Sequence, residues 1–168
     1  MISIPFLPSA GGKDFLMEVI RITDRKKEYL PLLLLADEEE HMVDRYLDRG
    51  DMFVFTDKGE VVGECVVVAD GNGCELKNLA VAPAFRRMGY GAKIVEFVCA
   101  RYAGRYGELV VGTGEAPATM GFYRKCGFTE YARIPDFFTT NYGHEIVEDG
   151  VLLRDMILLK RRLKEKPE

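Results

Sequence analysis

Residues 86–93 read Arg-Arg-Met-Gly-Tyr-Gly-Ala-Lys, at the point where an apolar, strand-like run gives way to a helical one. A helix that opens there presents unpaired backbone N–H groups and the positive end of its peptide dipole, which suits an anion. Gly89 and Gly91 let a ligand approach the backbone closely, and Arg86 and Arg87 add charge at the same place. The chemistry this pattern points to is the binding of a phosphate or pyrophosphate. Metal chemistry is not expected. Only His41 and His144 offer imidazole, and Cys65, Cys74, Cys99 and Cys126 are scattered without a Cys-x-x-Cys pair.

The elements that must position this stretch follow from hydrophobic period. A chain of 168 residues points to one domain that buries roughly 70% of its unfolded surface. Residues 15–22 have strand character. Thr23 or Asp24 can cap a helical stretch over 25–36, which Pro31 interrupts. A second helix follows over 37–48, with Met42, Val43, Tyr46 and Leu47 on its apolar side and Glu38, Glu39, Glu40, Asp44 and Asp48 on an acidic one. The period then becomes strand-like. Residues 52–56, a turn at Asp57-Lys58-Gly59, and residues 61–69 read as a hairpin, and Gly71-Asn72-Gly73 leads into a third strand over 74–82.

After the glycines, Ile94, Phe97, Val98 and Tyr102 recur at core spacing on a helix. Residues 109–112 form a short apolar strand, 116–125 a helix, and 128–134 and 151–160 two more strands, separated by a long polar loop over 135–150. The order indicates one mixed-sheet α/β (α+β) domain over 15–162, with six to seven mostly antiparallel strands and about four helices. The first 14 residues, with Pro5, Pro8, Ser9, Gly11 and Gly12, read as a flexible leader or edge segment rather than a signal peptide. Residues 163–168 are a charged tail, and the C-terminal strand offers an edge on which a second copy could pair as a homodimer.

Composition narrows the function classes. A net charge of −4 argues against binding nucleic acid through bulk charge. No apolar run is long enough to cross a bilayer, and the cysteines read as reduced thiols of a cytoplasmic protein. A dinucleotide-binding reading would need Gly-x-Gly-x-x-Gly after the first strand of a parallel sheet. Here the glycines follow an antiparallel meander and their motif opens with Arg86.

Arg86-Arg87-Met88-Gly89-Tyr90-Gly91 resembles the acyl-CoA signature (Gln/Arg)-x-x-Gly-x-(Gly/Ala) of the GNAT N-acetyltransferase superfamily. Leu79-Ala80-Val81-Ala82-Pro83 is similar to the strand and turn before that signature. Phe122-Tyr123-Arg124-Lys125-Cys126-Gly127-Phe128 resembles the later Tyr-x-x-x-Gly-Phe segment of the family. Both segments occur in the family's order, separated by a helix and a strand. The resemblance covers residues 15–160, and the acidic second helix and the 136–150 loop look like those of uncharacterised bacterial members.

The resemblance implies the GNAT fold and direct attack of an acceptor amine on the thioester of acetyl-CoA. It implies that backbone N–H groups over Met88, Gly89, Tyr90, Gly91, Ala92 and Lys93 hold the pyrophosphate, flanked by Arg86 and Arg87. Leu79, Ala80 and Val81 pair with the pantetheine arm, and the Leu79 amide polarises the thioester carbonyl. Tyr123 protonates the departing thiolate.

An alkyl ammonium has a pKa near 10, so roughly one molecule in a thousand is neutral at pH 7 and a base is needed. Glu75 lies four residues before Leu79, on the same strand face, and resembles in position the base of the histone-acetylating branch. Strand rise separates the two by roughly 13 Å, so a base there acts through ordered water. Many members also carry a cofactor-contacting Asn before the later helix. Residues 112–120 hold none, which leaves Thr113, Gly114 or Thr119.

Asp37, Glu38, Glu39, Glu40 and Asp44 are candidates for an acceptor entrance, as are Asp136, Tyr142, His144 and Glu145 of the later loop. The expected activity is an acetyl-CoA-dependent N-acetyltransferase for a primary amine of a small molecule. Acetylation of a protein N-terminus or lysine, and a non-catalytic acyl-CoA-binding module, are the competing readings.

Overall fold

Val61, Val62, Val66, Val67 and Val68 place five β-branched residues in one run, which suits a strand packed on both faces. In the computed structural model, which describes residues 2–5 as backbone and 17–165 in full, this run lies in β4. The chain divides into two units, Met1–Ala69 with Lys77–Arg101 and Asp70–Leu76 with Tyr102–Glu168.

In the first unit β1 (Ile2–Pro5), β2 (Met17–Ile22), β3 (Asp51–Asp57) and β4 (Glu60–Asp70) pair antiparallel in sequence order. The far half of β5 (Gly73–Val81) lies beside β4. Two side-chain layers sandwich these strands. On one face Ile22, Met52, Val54, Val66 and Val68 pack against Leu33, Val43, Tyr46 and Leu47, from α1 (Leu30–Leu33), α2 (Glu40–Asp44) and the turn after α2. On the other face Phe53 and Phe55 meet Phe97 of α3 (Tyr90–Tyr102) edge-on, with ring centroids 5.1 and 5.3 Å apart.

The first helices depart from expectation. Pro31 does not interrupt a helix over 25–36. It sits in the first turn of α1, where its missing N–H costs nothing. Thr23 and Asp24 do not cap. Arg25, at φ 50°, turns the chain into a 3-10 turn over Lys26–Tyr29 instead. The second helix is only five residues long, because Glu39 supplies no side-chain cap and the bonds tighten to the three-residue spacing at Arg45 and Tyr46. The Lys26 ammonium holds the end of that turn, donating to the carbonyls of Leu47 and Gly50 at 2.8 and 2.7 Å. Burial pushes its pKa down.

In the second unit the near half of β5 runs parallel to β6 (Glu108–Thr113), with Glu75 opposite Val110. β10 (Met156–Arg162) lies antiparallel between β6 and β7 (Thr129–Ile134). The C-terminal strand is therefore an interior strand rather than the expected edge, and β7 holds the edge position. The 151–160 stretch is also broken. β9 (Val151–Leu152) turns back on β8 (Val147–Glu148) before β10 begins.

The loop over 135–150 is not simply polar. It contains α5 (Phe137–Asn141), and Phe138 and Ile146 bury with Ala116 and Leu153 in a cluster of their own. An ionic tie closes its ends. Arg154 bonds Asp136 at 2.6 Å, the Asp136 amide donates to Asp155, and Arg133 spans Glu115 and Asp155 at 2.7 and 2.9 Å.

Counting β5 once, the main sheet has eight strands in the described residues, seven without β1, and the helix beyond the expected four is α5. Residues 2–5 of the expected leader form an edge strand, whereas residue 1, residues 6–16 (the first two positions of the expected strand over 15–22 among them) and 166–168 lie outside the described residues. Leu163, expected in the charged tail, is buried, and its amide donates to the Gly107 carbonyl.

Candidate functional site

The candidate anion cradle lies wholly in the first unit. β5 ends at Val81, a 3-10 turn covers Pro83–Phe85, and the backbone then passes through Arg87 at φ 60° and Gly89 at φ 94° before α3 begins. The Gly89 conformation lies beyond the left-handed well that side chains tolerate, so the residue type is required there. Arg86, Arg87, Met88 and Gly89 are all exposed, and Arg86 Nε donates to the Val81 carbonyl at 3.3 Å.

Tyr90 has a different part. Its hydroxyl donates to Asp57 at 2.5 Å, its ring meets Phe85 edge-on, and burial together with Asp57 pushes its pKa up to about 12. It anchors the first turn of α3 from beneath and can meet a ligand only through its amide. The Lys93 amide, expected among the donors, is committed to the Gly89 carbonyl at 3.3 Å. By helix geometry the donors without an intrahelical acceptor are then Gly89, Tyr90, Gly91 and Ala92. Four amides at the head of a 13-residue helix, beside two exposed guanidinium groups, fit a pyrophosphate. On β5, Leu79 and Val81 are half-buried and Ala80 is buried.

The other two expected residues belong to the second unit. Glu75 is half-buried on the near half of β5. Tyr123 is buried on α4 (Pro117–Lys125), with Phe122 and Phe128 edge-on at 5.0 and 5.5 Å. The helix ends in a Schellman motif. The Phe128 amide bonds the Tyr123 carbonyl, the Gly127 amide bonds that of Arg124, and Gly127 takes φ 86°. Tyr-x-x-x-Gly-Phe is thus a helix stop whose hydrophobic contact clamps the tyrosine.

Of the substitutes for the missing Asn, Thr119 is engaged elsewhere, donating to Glu148 at 2.6 Å, and Gly114 lies against Leu153, which a Cβ would meet at 2.5 Å. Thr113 remains. The acidic helix is partly answered by Lys27, whose ammonium lies 2.8 Å from both Glu40 and Asp44, and Glu39 lies 2.9 Å from His41. Asp136 is held by Arg154 and Tyr142 stacks on Phe138, whereas His144 and Glu145 are exposed.

Two residues outside these expectations form a polar patch inside the first unit. Glu64 on β4 is 0% exposed, and neither carboxyl oxygen has a hydrogen-bond partner of good geometry. Burial pushes its pKa well above the usual carboxylate range, opposed by a hydrogen bond from the Ala80 backbone. Asn78 on β5 donates from Nδ2 to the Leu33 carbonyl and to the Tyr46 hydroxyl, at 3.0 and 2.9 Å. Tyr46 in turn donates to Asp37 at 3.1 Å. The only sequence signal for Glu64 is a single carboxylate within a valine-rich strand.

Residues 48–130 match the family described as the acetyltransferase (GNAT) domain. Over 150 residues the chain is 32% identical to an uncharacterized N-acetyltransferase, YvbK, of Bacillus subtilis, covering 85% of this chain and 96% of that one. A GNAT family acetyltransferase from Elizabethkingia anophelis, solved with acetyl-CoA bound, is 32% identical, with a TM-score of 0.82 over 88% of this chain and 98% of that one. A Bacillus subtilis acetyltransferase in complex with CoA is 30% identical, with a TM-score of 0.79 over 86% and 97%.

Proposed function

The chain belongs to the GNAT acetyltransferase family, and from that premise we propose that it transfers acetyl from acetyl-CoA to the primary amine of a small molecule. The transfer is direct, in a ternary complex, with no covalent enzyme intermediate. The observation that supports the donor half is the turn through Arg87 and Gly89 into α3, which sets the first amides of that helix beside two exposed arginines. The amides over residues 89–92 hold the pyrophosphate, Leu79 to Val81 pair with the pantetheine arm, and the Leu79 amide faces the thioester oxygen.

The acceptor nitrogen must lose a proton before it attacks. Glu75 can take that proton only through ordered water, given its spacing from Leu79 along the strand. When the C–S bond breaks, the Tyr123 hydroxyl supplies a proton to sulfur, worth about 10² to 10⁴ in rate. The clamp formed by Phe122, Phe128 and the Schellman motif leaves this side chain little rotamer freedom, as a positioned acid needs.

Release of free thiol from acetyl-CoA, screened against polyamines, aminoglycosides, amino acids and lysine peptides, tests the reading. Turnover with at least one free amine, and initial-rate patterns in which both substrates must bind before product leaves, is the expected result. Turnover with peptides alone overturns the small-molecule assignment, and parallel double-reciprocal lines overturn direct transfer.

A further inference from the structure

Glu64 is an anomaly in energetic terms. Its strand neighbours Val62 and Val66, and Val54 opposite it on β3, are all buried and apolar. A carboxyl in such surroundings, with no side-chain partner and only the Ala80 backbone beside it, costs several kcal/mol relative to a hydrocarbon side chain, so packing does not account for it. Register and side-chain alternation put it on the β4 face covered by α1 and α2, the face to which Asn78 also points. The amide orientation of Asn78 is set by its two acceptors, the Leu33 carbonyl and the Tyr46 hydroxyl, which leaves Oδ1 buried and unpartnered as well. Three buried acceptor atoms on adjacent strands therefore lack a donor of good geometry, beneath the two short helices.

We propose that Glu64 takes the proton from the acceptor's ammonium group, through ordered water, from a polar patch that Asn78 and Tyr46 hold in place beneath α1 and α2. The proposal rests on the acetyl-transfer reading and deepens it. An ammonium carries three N–H donors. One N–H bond breaks, its electron pair stays on nitrogen, and the proton passes to a Glu64 carboxylate oxygen. That pair then forms the C–N bond to the acetyl carbonyl, the C–S bond breaks, and the thiolate is protonated. Glu64 releases its proton to solvent before the next cycle. Burial makes the Glu64 carboxylate a stronger base than an ordinary carboxylate, which narrows the gap to an amine near pKa 10, and in this scheme Glu64 takes the proton in place of Glu75.

Burial, opposed by the Ala80 backbone, sets its titration, and few polar groups face it. Tyr46 and Asp37 face it from the α2 side, where burial first, then Asp37 and last Glu64 raise the Tyr46 pKa. Lys77 lies 5.6 Å from the Tyr46 ring centre, and Asn78 closes the β5 side. From α1 comes only the Leu33 carbonyl, and from β2 and β3 the apolar Ile20 and Val54.

Glu64→Gln separates a proton acceptor from a neutral filler, because glutamine matches the protonated acid in shape. The expected variant melts within about 2 °C of the parent and keeps its acetyl-CoA shift. Its kcat/KM falls about 100-fold or more, and the acid limb of the pH profile disappears. A Gln variant with parental kcat/KM and an unchanged acid limb overturns the proposal. Should that variant fold poorly, Tyr46→Phe is the second arm: it removes the hydroxyl joining Asn78 to Asp37 while keeping the ring. The acid limb must then move, and an unmoved limb overturns the proposal. A parent that releases no thiol with any amine overturns the acetyl-transfer reading instead, and this proposal with it.

Discussion

Gly89→Ala perturbs the site through backbone geometry alone. The residue stands at φ 94°, in the region that a Cβ disfavours, and holding alanine there costs about 1–2 kcal/mol. If the loop keeps its path, that strain appears as lost stability, about 2–8 °C in melting temperature at about 2–4 °C per kcal/mol for a chain of this size. If the loop relaxes instead, the amides over residues 89–92 turn away from the pyrophosphate and affinity falls. The two outcomes are separable in one assay. With acetyl-CoA at a hundred times its Kd, the parent gains about 2.7 kcal/mol; a tenfold weaker site gains only about 1.4 at the same concentration. Thermal melts with and without acetyl-CoA therefore read strain from the unliganded midpoint and misdirected amides from a ligand shift cut by about half. We expect both, because the turn and the donors share one backbone segment. An alanine variant with the parental midpoint and the parental shift refutes the assignment of this turn as the cradle.

Three further outcomes follow from the geometry. Tyr123→Phe keeps the edge-on ring contacts with Phe122 and Phe128, so acetyl-CoA affinity is retained while thiol release slows about 100-fold or more; an unchanged turnover rate removes the acid role. Phe138→Ala empties the centre of the α5 cluster and costs about 3 kcal/mol, read as a drop in urea midpoint, with the acceptor KM rising and the acetyl-CoA Kd unmoved if this segment flanks the acceptor. The Arg133 tie adds an acid dependence. Glu115 is held below its ordinary value mainly by Arg133, and Asp155 mainly by the Asp136 amide and then by Arg133. Depressed folded-state values mean stability that is present above about pH 4 and is lost as pH falls through the folded values. Arg133→Met should therefore lower the urea midpoint at pH 7 and change it little at pH 2.5, and an equal loss at both would refute the linkage.

What was legible in the sequence follows from what the backbone alone dictates. The meander of β3, β4 and β5 and the apolar stripe of α3 repeat with fixed periods, and a turn needing positive φ leaves a glycine behind, as at Gly89 and Gly127. The helices before β3 were less legible, because their boundaries are set by non-local bonds: Lys26 reaching the carbonyls of Leu47 and Gly50, and Asn78 reaching the Leu33 carbonyl. Periodicity also missed the α5 segment. Its core comes from Phe138, Ile146 and Leu153, single apolar residues contributed by separate short segments rather than by one periodic run. The same limit hid the interior position of β10, since a register with β6 on one side and β7 on the other is a property of pairing and not of composition.

Donor and acceptor differ in the same way. A pyrophosphate can be held by main-chain amides, so the requirement falls on conformation, and conformation marks local sequence. In the proposed scheme the acceptor amine is met by side chains, and the groups with the right chemistry come from distant positions: Asp37 from before α2, Tyr46 from after it, Glu64 from β4 and Asn78 from β5. Each has an ordinary setting in its own segment. Only the hydrogen bonds from Asn78 to Tyr46 and from Tyr46 to Asp37 show that three of them act as one group, and only full burial without a side-chain partner marks Glu64 as out of place. A conservative change at Glu64 should therefore alter chemistry without altering fold. A change at Gly89 must alter both, because there the fold itself supplies the donors.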